Sequence, residues 1–141
     1  MSDFELDPAF PATSHALGDL FLCHARLQCD ARWPWIILIP RRPGARELED
    51  LTDADRVRLM DEVVAAGAAA RALGEATGRP VEKLNVGALG NITPQLHVHV
   101  VGRREGDAGW PGPVWGFGLK EPYRPEDLEP VLAAARRGLG L

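Results

Sequence analysis

Gln95, His97 and His99 alternate along residues 95–101 (QLHVHVV). A strand sends side chains i and i+2 to one face, so these three form a polar row, with Leu96, Val98, Val100 and Val101 as its apolar partner face. Burying such a row is costly unless each group finds a hydrogen-bond partner, which leaves two readings: a satisfied polar sheet edge, or a site. An imidazole titrates near pH 6.5, and its neutral form is a nucleophile without a separate base. The requirement is that a carbonyl hold Nδ1–H so that Nε2 presents its lone pair, and a main-chain carbonyl suffices. A second imidazole one step along the row can donate a hydrogen bond to charge building on a phosphate oxygen. Gln95 can donate a similar bond but cannot ferry a proton to a leaving group. Histidines at i and i+2 also suit a metal, though two of them with no carboxylate on their own strand make a thin ligand set.

The elements that must position this row follow from pattern. Residues 19–27 (DLFLCHARL) read as a strand. Residues 33–40 (WPWIILIP), aromatic and β-branched between prolines, suit a central strand buried on both faces. After the turn Arg41-Arg42-Pro43-Gly44, a helix over 53–73 is announced by Thr52 as cap and by Asp53 and Asp55 in its first turn, with Gly74 as its stop. Val57, Met60, Val63, Val64, Ala68 and Leu73 give it an apolar stripe, leaving Arg56, Arg58, Asp61, Glu62 and Arg71 for water. Gly67 in its middle implies close packing on a sheet. Residues 82–89 (EKLNVGAL) and 95–101 read as an antiparallel pair across the turn 90–94. Residues 102–122 hold six Gly and three Pro, yet carry Trp110, Trp115 and Phe117, as functional or interfacial loops do. Pro125 opens a last helix with Leu128, Val131, Leu132, Ala135 and Leu139 on one face.

Asn85 and Gly87 on the neighbouring strand, the turn Gly90-Asn91-Ile92-Thr93 and the closing Gly102-Arg103 frame the row. Together with residues 35–42 (WIILIPRR) and 48–55 (LEDLTDAD), this ordered set resembles the histidine triad (HIT) family, whose signature is His-φ-His-φ-His-φφ on a strand after a Gly-rich turn. The resemblance covers roughly residues 20–104, about 60% of the chain. Aligned through Gly102-Arg103, His99 takes the third triad position, His97 the second, and Gln95 stands where the first histidine belongs. The resemblance implies an α+β fold: an antiparallel sheet of four to six strands, one main helix packed on it and a C-terminal helix. It also implies that His97 attacks a nucleotide α-phosphorus to form a covalent histidyl-nucleotide that water hydrolyses, with His99 and Gln95 beside it. Asn85, Asn91 and Thr93 fall where the family contacts ribose and phosphate; Asn91 suits a turn equally well. The aromatic segment 110–116 is similar to the tail of a bacterial subgroup resembling diadenosine (dinucleoside) polyphosphate hydrolases. Family members are commonly homodimers whose C-terminal segments approach the partner's site, so Trp110 or Trp115 could stack on a base, anchor a dimer or pack beneath the loop.

Three functions compete. One is a nucleotide hydrolase or nucleotidyl transferase acting on a phosphoanhydride or phosphoramidate of a purine nucleotide. Another is a nucleotide-binding regulatory module with little turnover, because the first triad histidine is Gln95. The third and weakest is a metal-dependent protein with His97 and His99 as ligands. No cofactor is required, no metal site is assigned, and a divalent metal arriving with the nucleotide is compatible with the residues.

Composition narrows the partners. The 141 residues, 45% apolar and 26% charged, suit one domain over 1–141. A net charge of −4 speaks against a nucleic-acid polymer as partner and leaves a small nucleotide. No apolar run reaches the roughly 20 residues of a membrane helix, and the start Met1-Ser2-Asp3-Phe4-Glu5 has no leader pattern, so no membrane partner and a cytoplasmic location are expected. Cys23 and Cys29 read as small buried hydrophobes. Arg41, Arg42 and Arg46 read as a solvated turn sooner than a phosphate clamp, and His15 and His24 receive no role.

Overall fold

The computed structural model describes residues 3–141; Met1 and Ser2, the first residues of the stretch read above for a leader, lie outside the described residues. In chain order the elements are α1 (Ala9–Thr13), β1 (Ser14–Asp19), β2 (Cys23–Gln28), β3 (Trp35–Pro40), a 3-10 turn (Leu48–Asp50), α2 (Asp53–Ala76), β4 (Lys83–Gly87), β5 (Val98–Arg103) and α3 (Pro125–Leu139). The five strands form one antiparallel sheet in the order β1-β2-β3-β5-β4, which is the α+β architecture expected. The proline-fenced strand β3 is central and buried on both faces, as its composition predicts.

Strand parity divides the core. Cys23, Ala25, Leu27, Ile36, Leu38, Val98 and Val100 face one way and pack against α2 and α3. Trp35, Ile37, Ile39 and Val101 face the other way, beneath Phe10 and Val114, with Phe4, Leu6 and Trp115 at the margin. Two helices therefore cover one face, while the N-terminal segment and the long aromatic loop cover the other. Val101 sits on the second face with the histidines, not on the apolar partner face assigned above, because odd positions of β5 share a side.

Some sequence expectations change. The strand read over 19–27 is the end of β1, a turn and β2; β1 and α1 were not anticipated. Thr52 does cap α2, its hydroxyl accepting from the Asp55 amide at 3.1 Å. However, Gly74 does not stop the helix, which continues to Ala76 and is capped at Thr77. The stripe is also displaced: Val57, Met60 and Val64 are 65%, 62% and 68% exposed, while Leu59, Glu62, Ala66, Ala69, Ala70 and Leu73 are buried. Glu62, expected in water, accepts from the Leu22 and Cys23 amides at 2.9 and 2.8 Å, satisfying two donors at the entry to β2. The buried face is small because the helix lies close to the sheet: a Cβ on Gly67 would come within 2.7 Å of Leu84 Cδ1. In α3 the predicted face holds, with Val131, Leu132, Ala135 and Leu139 buried and Leu128 packed on the core. Both cysteines are free; Cys23 is buried as expected and Cys29 only half-buried.

Candidate active site

The row lies where β5 begins. Gln95 and His97 precede the regular strand and His99 is within it, opposite Ile37 of β3 and Gly87 of β4. The two imidazoles are neighbours, with ring centroids 4.9 Å apart, and are only 8% and 9% exposed.

Their partners fix opposite tautomers. His97 Nδ1 lies 2.7 Å from the Gln95 carbonyl, which can only accept, so Nδ1 carries the proton and the neutral ring presents a lone pair at Nε2. This is the main-chain arrangement required above for a nucleophile. The Trp35 indole, which can only donate, gives its Nε1–H to His99 Nδ1 at 3.0 Å, so the His99 proton resides on Nε2. Burial, with His97 as a further cause, lowers the His99 pKa to about 4, which keeps this ring a neutral donor at physiological pH. Within one row, then, one imidazole offers a lone pair and the next a hydrogen.

Each imidazole also has an aromatic wall. Phe10 meets His97 edge-on with ring centroids 4.9 Å apart, and Trp115 meets His99 at 5.6 Å. Trp115 approaches so closely that a Cβ on Gly87 would lie 3.1 Å from its ring. Below His99 the row continues through Val101 to Arg103, which is fully buried and donates twice to Asp107, at 2.8 and 3.0 Å. Burial alone would raise the Asp107 pKa, but Arg103 and the Arg104 and Gly109 amides together hold its carboxyl well below the usual range. This ion pair ties the aromatic loop to the sheet.

The remaining predicted residues divide. Gln95 belongs to the row, but its amide is occupied: Oε1 accepts from the Asp7 amide at 2.9 Å and Nε2 donates to the Glu5 carbonyl at 2.8 Å. Asn85 sits on β4 opposite Val101, its Oδ1 accepting from Arg103 at 2.9 Å. Asn91 is exposed and Thr93 half-buried in the turn beyond the cleft. That cleft, about 90 Å³, is lined by Arg46, Leu48, Leu89, Gly90, Gln95 and His97 among others. A larger cavity, about 300 Å³, lies between the end of α2 and the start of α3 and includes no member of the row. Phe10 and Asp107 escaped the sequence reading, which gave Trp35 only as part of a strand and Arg103 only as closing the row. Odd parity on β3 was the available signal for Trp35, and continuing the row by two more steps was the one for Arg103.

Arg41 and Arg42 are structural: Arg41 donates to the Leu20, Phe21 and Leu22 carbonyls, and Arg42 pairs with Asp55 at 2.7 Å. His24 is held between Asp19 and Arg26. Among the described residues no group of three or more His, Cys, Asp or Glu is placed to hold a metal ion, and no helix is long and apolar enough to cross a membrane.

Comparison with known proteins agrees with the fold. A search of curated proteins finds no match. Among solved structures, a histidine triad protein from Sinorhizobium meliloti 1021 is 46% identical, covering 97% of this chain and 98% of that one with a TM-score of 0.87. Histidine triad proteins from Marinobacter aquaeolei VT8 and Bradyrhizobium japonicum are 40% and 39% identical, with TM-scores of 0.87 and 0.86. The first covers 97% of this chain and 96% of its own, the second 96% and 98%. The pattern of the HIT domain spans residues 10–106, from the phenylalanine against His97 to the loop after β5, and the chain belongs to the HIT domain family.

Proposed function

We propose that this protein is a nucleotide hydrolase or nucleotidyl transferase that cleaves a phosphoanhydride or phosphoramidate of a purine nucleotide through a covalent intermediate on His97. The observation that carries the reading is the His97–Gln95 carbonyl bond, which directs the Nδ1 proton to the carbonyl and leaves Nε2 to present the lone pair of the neutral ring. Nε2 bonds to the α-phosphorus as the leaving group departs; water then attacks phosphorus and Nε2 recovers its pair. His99, held as an Nε2–H donor, is suited to a non-bridging oxygen as charge builds. Asn91 and Thr93, in the turn after the cleft-lining Gly90, are assigned to ribose and phosphate; Asn85 acts through its bond to Arg103. Gln95 takes the first triad position.

Wild type is expected to turn over a dinucleoside polyphosphate, and His97→Ala to lose at least about 10³-fold in rate with little change in stability. Equal slow rates for both would remove the reading. Tight binding by calorimetry with no product over hours would instead establish the regulatory module.

A homodimer is part of this proposal. Val57, Met60 and Val64 form an exposed apolar stripe along α2, and β4, carrying exposed Val86, is one of the sheet's two edge strands. A second copy of the same chain would cover both. Sedimentation showing only a monomer at micromolar concentration would remove the dimer and leave the chemistry.

A further inference from the structure

The two ends of the Gln95 amide are both spent on the chain's own N-terminal segment. The Glu5 carbonyl and the Asp7 amide are the pair of groups that a neighbouring strand residue would engage, and the Gln95 side chain takes them as such a residue does, accepting one hydrogen bond and donating the other. This clamp lays residues 5–7 beside the row and brings Phe10 onto the His97 ring. An imidazole at position 95 would not replace it, because its two nitrogens point away from each other instead of side by side.

The clamp has a chemical consequence. Apart from the two Nε2 atoms, the other polar groups of the row are also committed: His97 Nδ1–H to the Gln95 carbonyl, His99 Nδ1 to Trp35, and Arg103 to Asp107 and Asn85. His99 offers a hydrogen bond but not a proton, since its Nδ1 is held by an indole donor and cannot take up the hydrogen that a relay would need. Nothing in the row can therefore protonate a leaving group. In the same cleft as His97 stands Arg46, exposed, whose guanidinium makes no hydrogen bond among the described residues, unlike those of Arg41 and Arg42, and whose nearest acidic influence is Asp50.

We infer that Gln95 is a positioning residue that straps the N-terminal segment to the row, and that the site accordingly selects nucleotides whose leaving group departs as an unprotonated anion. The inference rests on the covalent reading of His97 and narrows it to phosphoanhydrides. In the first step a bond forms from His97 Nε2 to the α-phosphorus while the bond to the bridging oxygen breaks. That oxygen keeps the electron pair and leaves as a phosphate or polyphosphate, stable as an anion because such groups titrate near pH 6. Arg46 lines the same cleft as His97. Water next attacks phosphorus, the P–N pair returns to Nε2, and the water proton goes to solvent with the released nucleoside monophosphate. An amine or an alkoxide cannot leave this way, for each must take a proton as its bond breaks.

Three substrates sharing one adenylyl group test this on the wild-type protein: a dinucleoside polyphosphate, an adenosine phosphoramidate of a primary amine and an alkyl ester of AMP. The phosphoanhydride should be cleaved about 10²–10⁴-fold faster than either of the others, the range a missing general acid represents. In Gln95→His that gap should shrink at least about tenfold. Amide hydrogen exchange gives a readout independent of turnover: the Asp7 amide should exchange at least about tenfold faster in Gln95→Ala than in wild type. Equal wild-type rates on phosphoanhydride and phosphoramidate would overturn the leaving-group inference while sparing the covalent reading. Unchanged exchange at Asp7 would overturn the clamp. Turnover of none of the three would remove the covalent reading and this inference with it.

Discussion

The two faces of the sheet are built from different materials. Toward α2 and α3 the strands present Cys23, Ala25, Leu27, Ile36, Leu38, Val98 and Val100, and the buried charged group on this side, Glu62, is consumed by two backbone amides. Toward the N-terminal segment and the aromatic loop they present His97, His99 and Arg103 among Trp35, Ile37, Ile39 and Val101. The helical side needs only volume and apolarity, and tolerates chemistry nowhere. On the other side the polar groups of the row are held by specific partners, often distant in sequence: Trp35 with His99, Asp7 and Glu5 with Gln95. Reactive groups thus lie under a cover of chain segments, which a ligand can displace more readily than it can a packed helix.

A matched pair of substitutions tests the contrast at its largest. Asp107→Ala leaves Arg103 buried without its partner and should cost about 3–5 kcal/mol in urea unfolding. Leu38→Ala on the helical side should cost about 2–5 kcal/mol by opening a cavity, while leaving the rate per folded molecule unchanged. If Asp107→Ala is as stable as wild type, the loop is not held by this pair; if Leu38→Ala loses activity per folded molecule, the two faces are not separable.

A smaller effect separates the faces by pH. His99 stays neutral in the folded protein down to about pH 4, whereas in the unfolded chain it takes up a proton near 6.5. The unfolded state therefore binds more protons between those values. The contribution of His99 is fully present above about 6.5, declines by about 1.4 kcal/mol per pH unit below it, and levels off under about pH 4. Stability measured at pH 7 and pH 5 should fall more in wild type than in His99→Phe. An identical fall in both would mean that the ring titrates normally.

The same division explains how much was legible in the sequence. The row itself follows from strand parity, and α3 from a clean 3.6-residue pattern in which Val131, Leu132 and Ala135 carry the contrast. In α2 the span was readable but the face was not. The buried side is Ala66, Gly67, Ala69 and Ala70, residues too small to stand out, while the larger Val57, Met60 and Val64 point outward. Strand β1 is short, contains Gly18 and shifts register between Ala16 and Gly18, so alternation never develops. The clamp on Gln95 joins groups separated by 88 and 90 positions, and local periodicity holds no trace of it.

The most direct test of the account is intact-mass measurement of protein quenched by alkaline denaturation, where a histidyl P–N bond survives, milliseconds to seconds after mixing with a dinucleoside polyphosphate, followed by peptide mapping at alkaline pH. The account predicts one nucleoside monophosphate attached to the peptide carrying His97, formed and lost at rates compatible with turnover, and absent in His97→Ala. Turnover without any adduct, or an adduct that maps elsewhere and persists in His97→Ala, would contradict it.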